Sequence, residues 1–325
     1  MKILIDDLSM TWKYDNVGNL FEQLGLTDVV TQPIRTKYYS YGEYFDGVLI
    51  AYNKDNDGVV TDTFLDISGK GCRTVEQINN LDFDWRRFLM NYSVDFVERR
   101  ANITRIDIAC DLEDEEVSFD KFRKYAENEL YVCKSKVLPK IIYKREECIY
   151  FGSEKSNRLL RIYNKALEQN LDNTYWLRLE FQLRNECAMS WFLNWQQQSD
   201  VGKLWQGVMK DYLRFVAPPK GADIDEIRKN RHQGRLPTAT WWQEILGETE
   251  RIGQLYLPGE EYTLERLEHY LEKQTYSSLK TYAIAHDGDL TRLLDGIKHV
   301  ELNVKQKQIL ANIQLIAPQN KEYEN

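Results

Sequence analysis

Up to about residue 185, apolar and polar residues alternate with period two in several short stretches, the pattern of strands that lay one face on a core. MKILIDDLSMTWKY (1–14), DGVLIAYN (46–53) and VVTDTFLDI (59–67) predict strands rich in β-branched and aromatic residues. Between them, 16–25 predicts a short helix. Thr74 with Gln77 three places on fits a helix-capping box, and 83–100 carries apolar residues at helical spacing. NITRIDIACD (102–111) predicts a strand, followed by an amphipathic helix starting near Ser118. CIYFGSEKSNRLLRIYNKALEQ (148–169) and YWLRLEFQLRNE (175–186) predict further strands.

The period then changes. Helical spacing dominates from 186 to 215, APPKGA (217–222) predicts a linker, and RKNRHQGR (228–235) adds a basic run. From 240 to 316 the pattern is helical throughout, most regular in YTLERLEHYLEKQ (262–274), and the last nine residues predict a frayed end. The expected fold class is α+β. A domain over 1–216, with a largely antiparallel sheet flanked by helices, precedes a basic linker over 217–235. A helical C-terminal region over 236–325 follows, for DNA recognition or oligomerisation.

Composition narrows the class. The chain has 325 residues, enough for a large core, and its 12% aromatic content is high for a globular protein. Five widely spaced cysteines without a C-x-x-C pair predict neither zinc nor redox work, and they suit a reducing cytoplasm. The acidic start is unlike a signal peptide, and no stretch is apolar enough for a membrane span. Net charge is −8, which argues against adhesion to nucleic acid over the whole surface. Locally the sign reverses: nine basic and three acidic residues between Lys134 and Lys165 make +6.

Candidate chemistry lies on the polar faces of three strands. In TRIDIACD, Arg105, Asp107, Ala109 and Asp111 share a face opposite Ile106 and Ile108. In WLRLEFQLR, Arg178, Glu180 and Gln182 do the same. In RLLRIYNK, Arg161, Tyr163 and Lys165 would share a third. One account is cross-strand salt bridging on an outward face, where exposed pairs are worth at most about 1 kcal/mol. The other is a cleft for a phosphate: Asp107 and Glu180 offer hard oxygen donors for Mg²⁺ or Mn²⁺. Tyr163 would then be a nucleophile whose phenolate Arg161 and Lys165 favour. All four histidines lie beyond residue 230, so no histidine cluster can hold a metal within the sheet.

SGKGCR (68–73), TRIDIACD, YFGSEKSNRLLRIYNKALEQ and WLRLEFQLRNE, in this order and spacing, resemble the replication initiation factor (Rep_trans-type) family over roughly the first 186 residues. That family comprises rolling-circle replication initiators of plasmids, phages and integrated elements, with related relaxases of mobile elements. The resemblance implies an endonuclease in which Tyr163 attacks a phosphodiester at the origin, leaving a 5′-phosphotyrosyl link and a free 3′-OH. It implies Asp107 and Glu180 as carriers of the metal with Asp111 a lesser candidate, and Lys165 at the scissile phosphate. Arg105, Arg161 and Arg178 would hold the strand or orient the carboxylates, with Lys155 and Arg158 of the same basic stretch as further phosphate contacts. SGKGCR lacks the spacing of a nucleotide-binding loop. It reads either as a turn whose glycines supply unusual backbone angles, or as a place where Lys70 and Arg73 meet DNA. The expected partner is origin DNA, single-stranded or as a hairpin, on which Tyr143, Tyr150, Phe151 and Trp176 are candidates to stack. A host helicase and a homodimer stay open, as do a relaxase at a transfer origin and a non-catalytic DNA-binding regulator of the same fold.

Overall fold

The computed structural model describes residues 2–113, 117–143, 146–171, 174–229, 232–253, 268 and 271–302. The chain forms two compact units, Met1–Leu257 and Pro258–Asn325.

Among the described residues of the first unit, ten strands make one sheet. They are β1 (Lys2–Trp12), β2 (Gln32–Pro33), β3 (Tyr41–Phe45), β4 (Val48–Lys54), β5 (Val60–Ile67), β6 (Ala101–Leu112), β8 (Lys140–Ile142), β9 (Cys148–Phe151), β10 (Arg158–Asn164) and β11 (Leu177–Arg184). The order is β2-β3-β4-β5-β1-β6-β11-β10-β9-β8, and every pairing in it is antiparallel. β7 (Tyr131–Cys133) pairs with β12 (Leu213–Phe215) in a second, two-stranded sheet. The α+β expectation holds.

The alternation read from the sequence decides which side is core. Ile106, Ile108, Leu160, Ile162, Leu179 and Phe181 are fully buried, against the helices Glu186–Gln197 and Val201–Tyr212 that bring Trp191, Phe192, Leu204 and Trp205. Burying such side chains contributes about 1.5–3 kcal/mol each. The opposite face of the central strands carries the charged residues.

SGKGCR turns out to open a helix, Gly69–Ile78, whose N-cap is Ser68 and not Thr74. Thr74 instead donates its hydroxyl to Asp46 at 2.7 Å. The glycines are needed for closeness and not for unusual angles: a Cβ on Gly71 would lie 2.3 Å from the Gly47 carbonyl oxygen. The stretch 83–100 forms two short helices, Trp85–Met90 and Ser93–Val97.

The expected boundary at 216/217 and the expected linker fall inside the first unit. Residues 224–229 are helical, and Arg228 pairs with Glu129 at 2.9 Å. Beyond them the helix Thr240–Leu246 buries Trp241 and Trp242 against Phe122 and Phe215, with ring centroids 5.1–6.1 Å apart. Two adjacent tryptophans carry too much apolar area to stay on a free tail. Local pattern alone placed them with the helices that follow.

In the second unit, the described residues include the helices Tyr276–Ala285 and Thr291–Lys298, joined by a turn with positive φ at Asp287 and Gly288. Most of YTLERLEHYLEKQ and the expected frayed end lie outside the described residues.

Candidate active site

Strand register assembles the site. Reading across β9, β10, β11 and β6, one row runs Tyr150, Arg161, Glu180, Ala109 and the next Cys148, Tyr163, Arg178, Asp111. A third runs Leu159, Gln182, Asp107 across β10, β11 and β6, then Asp7 on β1. The three polar faces read from separate stretches are therefore one surface.

Tyr163 donates its hydroxyl to Glu180 Oε2 at 2.8 Å. Arg161 binds the other oxygen of Glu180 through Nη2, and the same nitrogen lies 3.7 Å from Asp107 Oδ2. One guanidinium thus joins both expected metal carriers, and the tyrosine hangs from one of them. Arg105 grips Asp107 with two hydrogen bonds, of 2.9 and 2.6 Å, while Gln182 donates to it at 3.2 Å.

The electrostatics revise the picture of a phenolate held between cations. Lys165 is not on the strand: Asn164 ends β10 and caps a four-residue helical turn, Lys165–Glu168, with its side chain. Lys165 pairs with Glu168, its ammonium 5.6 Å from the centre of the Tyr163 ring. Burial and the neighbouring Glu180 carboxylate push the Tyr163 hydroxyl well above the ordinary tyrosine value, the arginines notwithstanding. Burial likewise raises Glu180, against the pull of Arg161. At rest Tyr163 is a phenol that donates its hydrogen to Glu180.

Arg178 and Asp111 are tied to each other. Arg178 donates to both Asp111 oxygens at 2.7 and 2.9 Å and to Asp6 at 3.0 Å. Arg178 thus engages both oxygens of Asp111, and it is a buried cross-strand anchor. Arg73 lies against β1, bonded to the Ile5 carbonyl and to Glu76. Lys70 is exposed and pairs with Asp46, Lys155 is exposed on the β9–β10 connection, and Arg158 faces Asp211 at 3.8 Å. Much of the basic stretch is balanced once folded: Lys134 pairs with Asp211 and Lys140 with Glu154. Of the candidate stacking residues, Phe151 is in the core, Tyr143 lies under Arg123, Trp176 beside Arg178, and Tyr150 borders the site.

Asp6 and Asp7 carried no role in the sequence reading. A bulge between Ile5 and Asp7 sends both toward the arginines of the charged face, Asp6 to Arg178 and Asp7 to Arg105 at 3.3 Å. Burial and the nearby Asp107 raise Asp7 to about 8. Its Oδ1 is buried without a hydrogen-bond partner among the described residues. The signal was present in ILIDDLSM, where two adjacent acids break an otherwise apolar strand.

A profile described as "Replication initiation factor" matches residues 101–297, more than half of the chain. The chain belongs to the replication initiation factor family. A relative from Bacillus subtilis (strain 168), provisionally named as the DNA relaxase NicK, is 24% identical over 94% of this chain and 88% of its own length. A solved structure titled as the rolling circle replication initiator protein from Geobacillus stearothermophilus superposes with a TM-score of 0.62 at 22% identity. It covers 78% of this chain and 98% of that one, a likeness of fold.

Proposed function

We propose that this chain is a metal-dependent endonuclease that nicks and rejoins single-stranded DNA at the origin of a plasmid, phage or integrated element, with Tyr163 as nucleophile. The observation that carries the reading is the 2.8 Å hydrogen bond from Tyr163 to Glu180, at a carboxylate that Arg161 links to Asp107.

A phenol with a raised pKa attacks only if its proton leaves as the new bond forms. Glu180, already accepting that proton, takes it while Tyr163 Oη bonds to phosphorus and the bond from phosphorus to the 3′ oxygen breaks. The leaving 3′ oxygen takes a proton from water, so the products are a 5′-phosphotyrosyl link and a 3′-OH for extension. Closing is the reverse attack by a 3′-OH, which releases Tyr163. Arg161 offsets charge on the phosphate and the carboxylates. Lys165 stands beside the ring, where breaking its pair with Glu168 frees an ammonium for the phosphate.

Among the described residues no three acid, histidine or cysteine side chains are placed to hold a metal ion, so a divalent ion would require the carboxylates to turn toward one another. Asp7 leaves a buried oxygen without a partner beside Asp107, and all the acids offer hard oxygens. After such a rearrangement Asp107, Glu180 and Asp7 would be the carriers of Mg²⁺ or Mn²⁺, which would supply polarisation of the phosphate. Arg105 and Arg161 orient those carboxylates, and Asp111 is structural. As an enzyme of origin DNA it would act in the cytoplasm, where that DNA is. Among the described residues no helix is long and apolar enough to cross a membrane.

The test incubates the protein with labelled origin hairpin DNA and Mn²⁺ or Mg²⁺, and looks for a covalent adduct on a denaturing gel. Tyr163→Phe is expected to abolish it, and Asp107→Asn and Glu180→Gln to abolish cleavage while DNA binding persists. An undiminished adduct with Tyr163→Phe sinks the nucleophile, and a wild type that binds origin DNA without forming any adduct points to a regulator. A relative named as a DNA relaxase over nearly the whole chain favours a second reading with the same chemistry, nicking at a transfer origin. Which of the two DNAs is cleaved decides between them.

A further inference from the structure

Beside Tyr163 opens a cleft of about 370 Å³. That is within the roughly 300–1,000 Å³ of pockets that hold small molecules. Its lining carries an arginine, an aromatic ring and carboxylates. Arg161 and Tyr150 are direct cross-strand partners in it, and Lys140 lies 5.2 Å over the Tyr150 ring. Glu146 and Glu147 line the same cleft. Asn164, which caps the turn after Tyr163, donates to Glu147 Oε2 at 2.9 Å and holds that carboxylate in place, with Oε1 the oxygen it does not engage.

Carboxylates repel a phosphate and accept hydrogen bonds from a base, while Tyr150 offers a ring face and Arg161 a charge for the backbone. We propose that this cleft takes one unpaired nucleotide next to the scissile phosphate and selects a base whose Watson–Crick edge donates hydrogen bonds, guanine before the others. Guanine presents an N1–H and an amino group side by side, a match for one carboxylate. Adenine and cytosine present one amino group beside an acceptor nitrogen. Thymine sets two carbonyls around a single N–H and fits worst. Only the placing of this nucleotide next to the nick rests on Tyr163 being the nucleophile.

The test measures fluorescence anisotropy of the full chain with short labelled oligothymidylates, unsubstituted or carrying a single central guanine, adenine or cytosine. The guanine oligonucleotide is expected to bind about tenfold more tightly than all-thymine. Glu147→Gln, with unchanged thermal melting, is expected to bring that ratio below about threefold. Tyr150→Ala weakens all four oligonucleotides together, and Tyr150→Phe restores them. Equal affinities in the wild type, no binding to any of the four, or a guanine preference that survives Glu147→Gln would overturn the proposal. Adduct formation with hairpin DNA separates the two ideas. Adduct without base preference sinks the pocket alone, and preference without adduct sinks the nucleophile alone.

Discussion

Arg178 and Asp111 give the sharpest test of which charged residues build the sheet and which serve its chemistry. Both are almost completely buried, at 5% and 4% exposure. Arg178 spends its donors on the two oxygens of Asp111 and on Asp6. Arg178→Met removes the cation and leaves Asp111 buried with neither oxygen paired, a change that costs about 3–5 kcal/mol when one partner of a buried ion pair is lost. Asp111→Leu has a similar cost, because Arg178 keeps only Asp6. The triple variant Arg178→Met/Asp111→Leu/Asp6→Asn also removes the carboxylate that Arg178 would leave unpaired and fills the space with apolar atoms, so it is expected within about 1 kcal/mol of Asp6→Asn alone, against which the single changes are then measured. The coupling, about 3 kcal/mol or more, is read from urea unfolding of the four proteins. Trp176, whose ring lies 5.5 Å from the Arg178 guanidinium, is a local fluorescent reporter. In thermal melting each single variant is expected to lose roughly 6–20 °C, at about 2–4 °C per kcal/mol for a unit of this size. A single-variant cost under about 1 kcal/mol, or strictly additive costs, refutes the anchor and returns Arg178 to the list of DNA contacts.

Asp7→Asn is expected to stabilise the fold with a particular pH dependence. Because the folded-state value is raised from 3.8 to about 8, the acid contributes fully below about pH 4 and that contribution is lost as pH climbs toward 8. The variant should match wild type at pH 4 and gain up to about 4 kcal/mol at pH 7, Arg105 keeping Asp107 as partner; a gain that does not change with pH counts against it. Trp242→Ala is expected to destabilise the first unit by about 3–5 kcal/mol, and a chain cut after Arg235 to aggregate, since Trp242 is fully buried. A soluble, cooperatively melting truncation would restore the boundary expected at 216. Gly71→Ala sets a methyl against the Gly47 carbonyl and is expected to cost toward the upper end of about 1–3 kcal/mol in denaturant unfolding; a neutral result means that the helix Gly69–Ile78 can shift.

Much of the site could be read before folding, because alternation is a property of a single strand. TRIDIACD, RLLRIYNK and WLRLEFQLR each declared which residues face a core and which do not, and pleat geometry enforces that choice whatever the strand pairs with. It correctly put Arg105, Asp107, Arg161, Tyr163, Arg178 and Glu180 on polar faces. Lys165 was missed because the strand stops one residue earlier, where Asn164 finds it more favourable to cap a helical turn.

What one strand cannot specify is its neighbour across the sheet. The partner of Arg178 lies 67 positions earlier in the chain at Asp111, and that of Tyr163 lies 17 later at Glu180. Those separations are closed only by the order β1-β6-β11-β10. The sequence by itself determined the fold class, the charged face and a tyrosine on it, since each follows from local period and residue type. Tertiary structure alone decided that Asp6 and Asp7 join that face, that Asp111 is spent on Arg178, and that the tyrosine meets a carboxylate instead of two cations. Pairing energies in a buried sheet depend on which charges come within a few ångströms, and chain order carries no such distance.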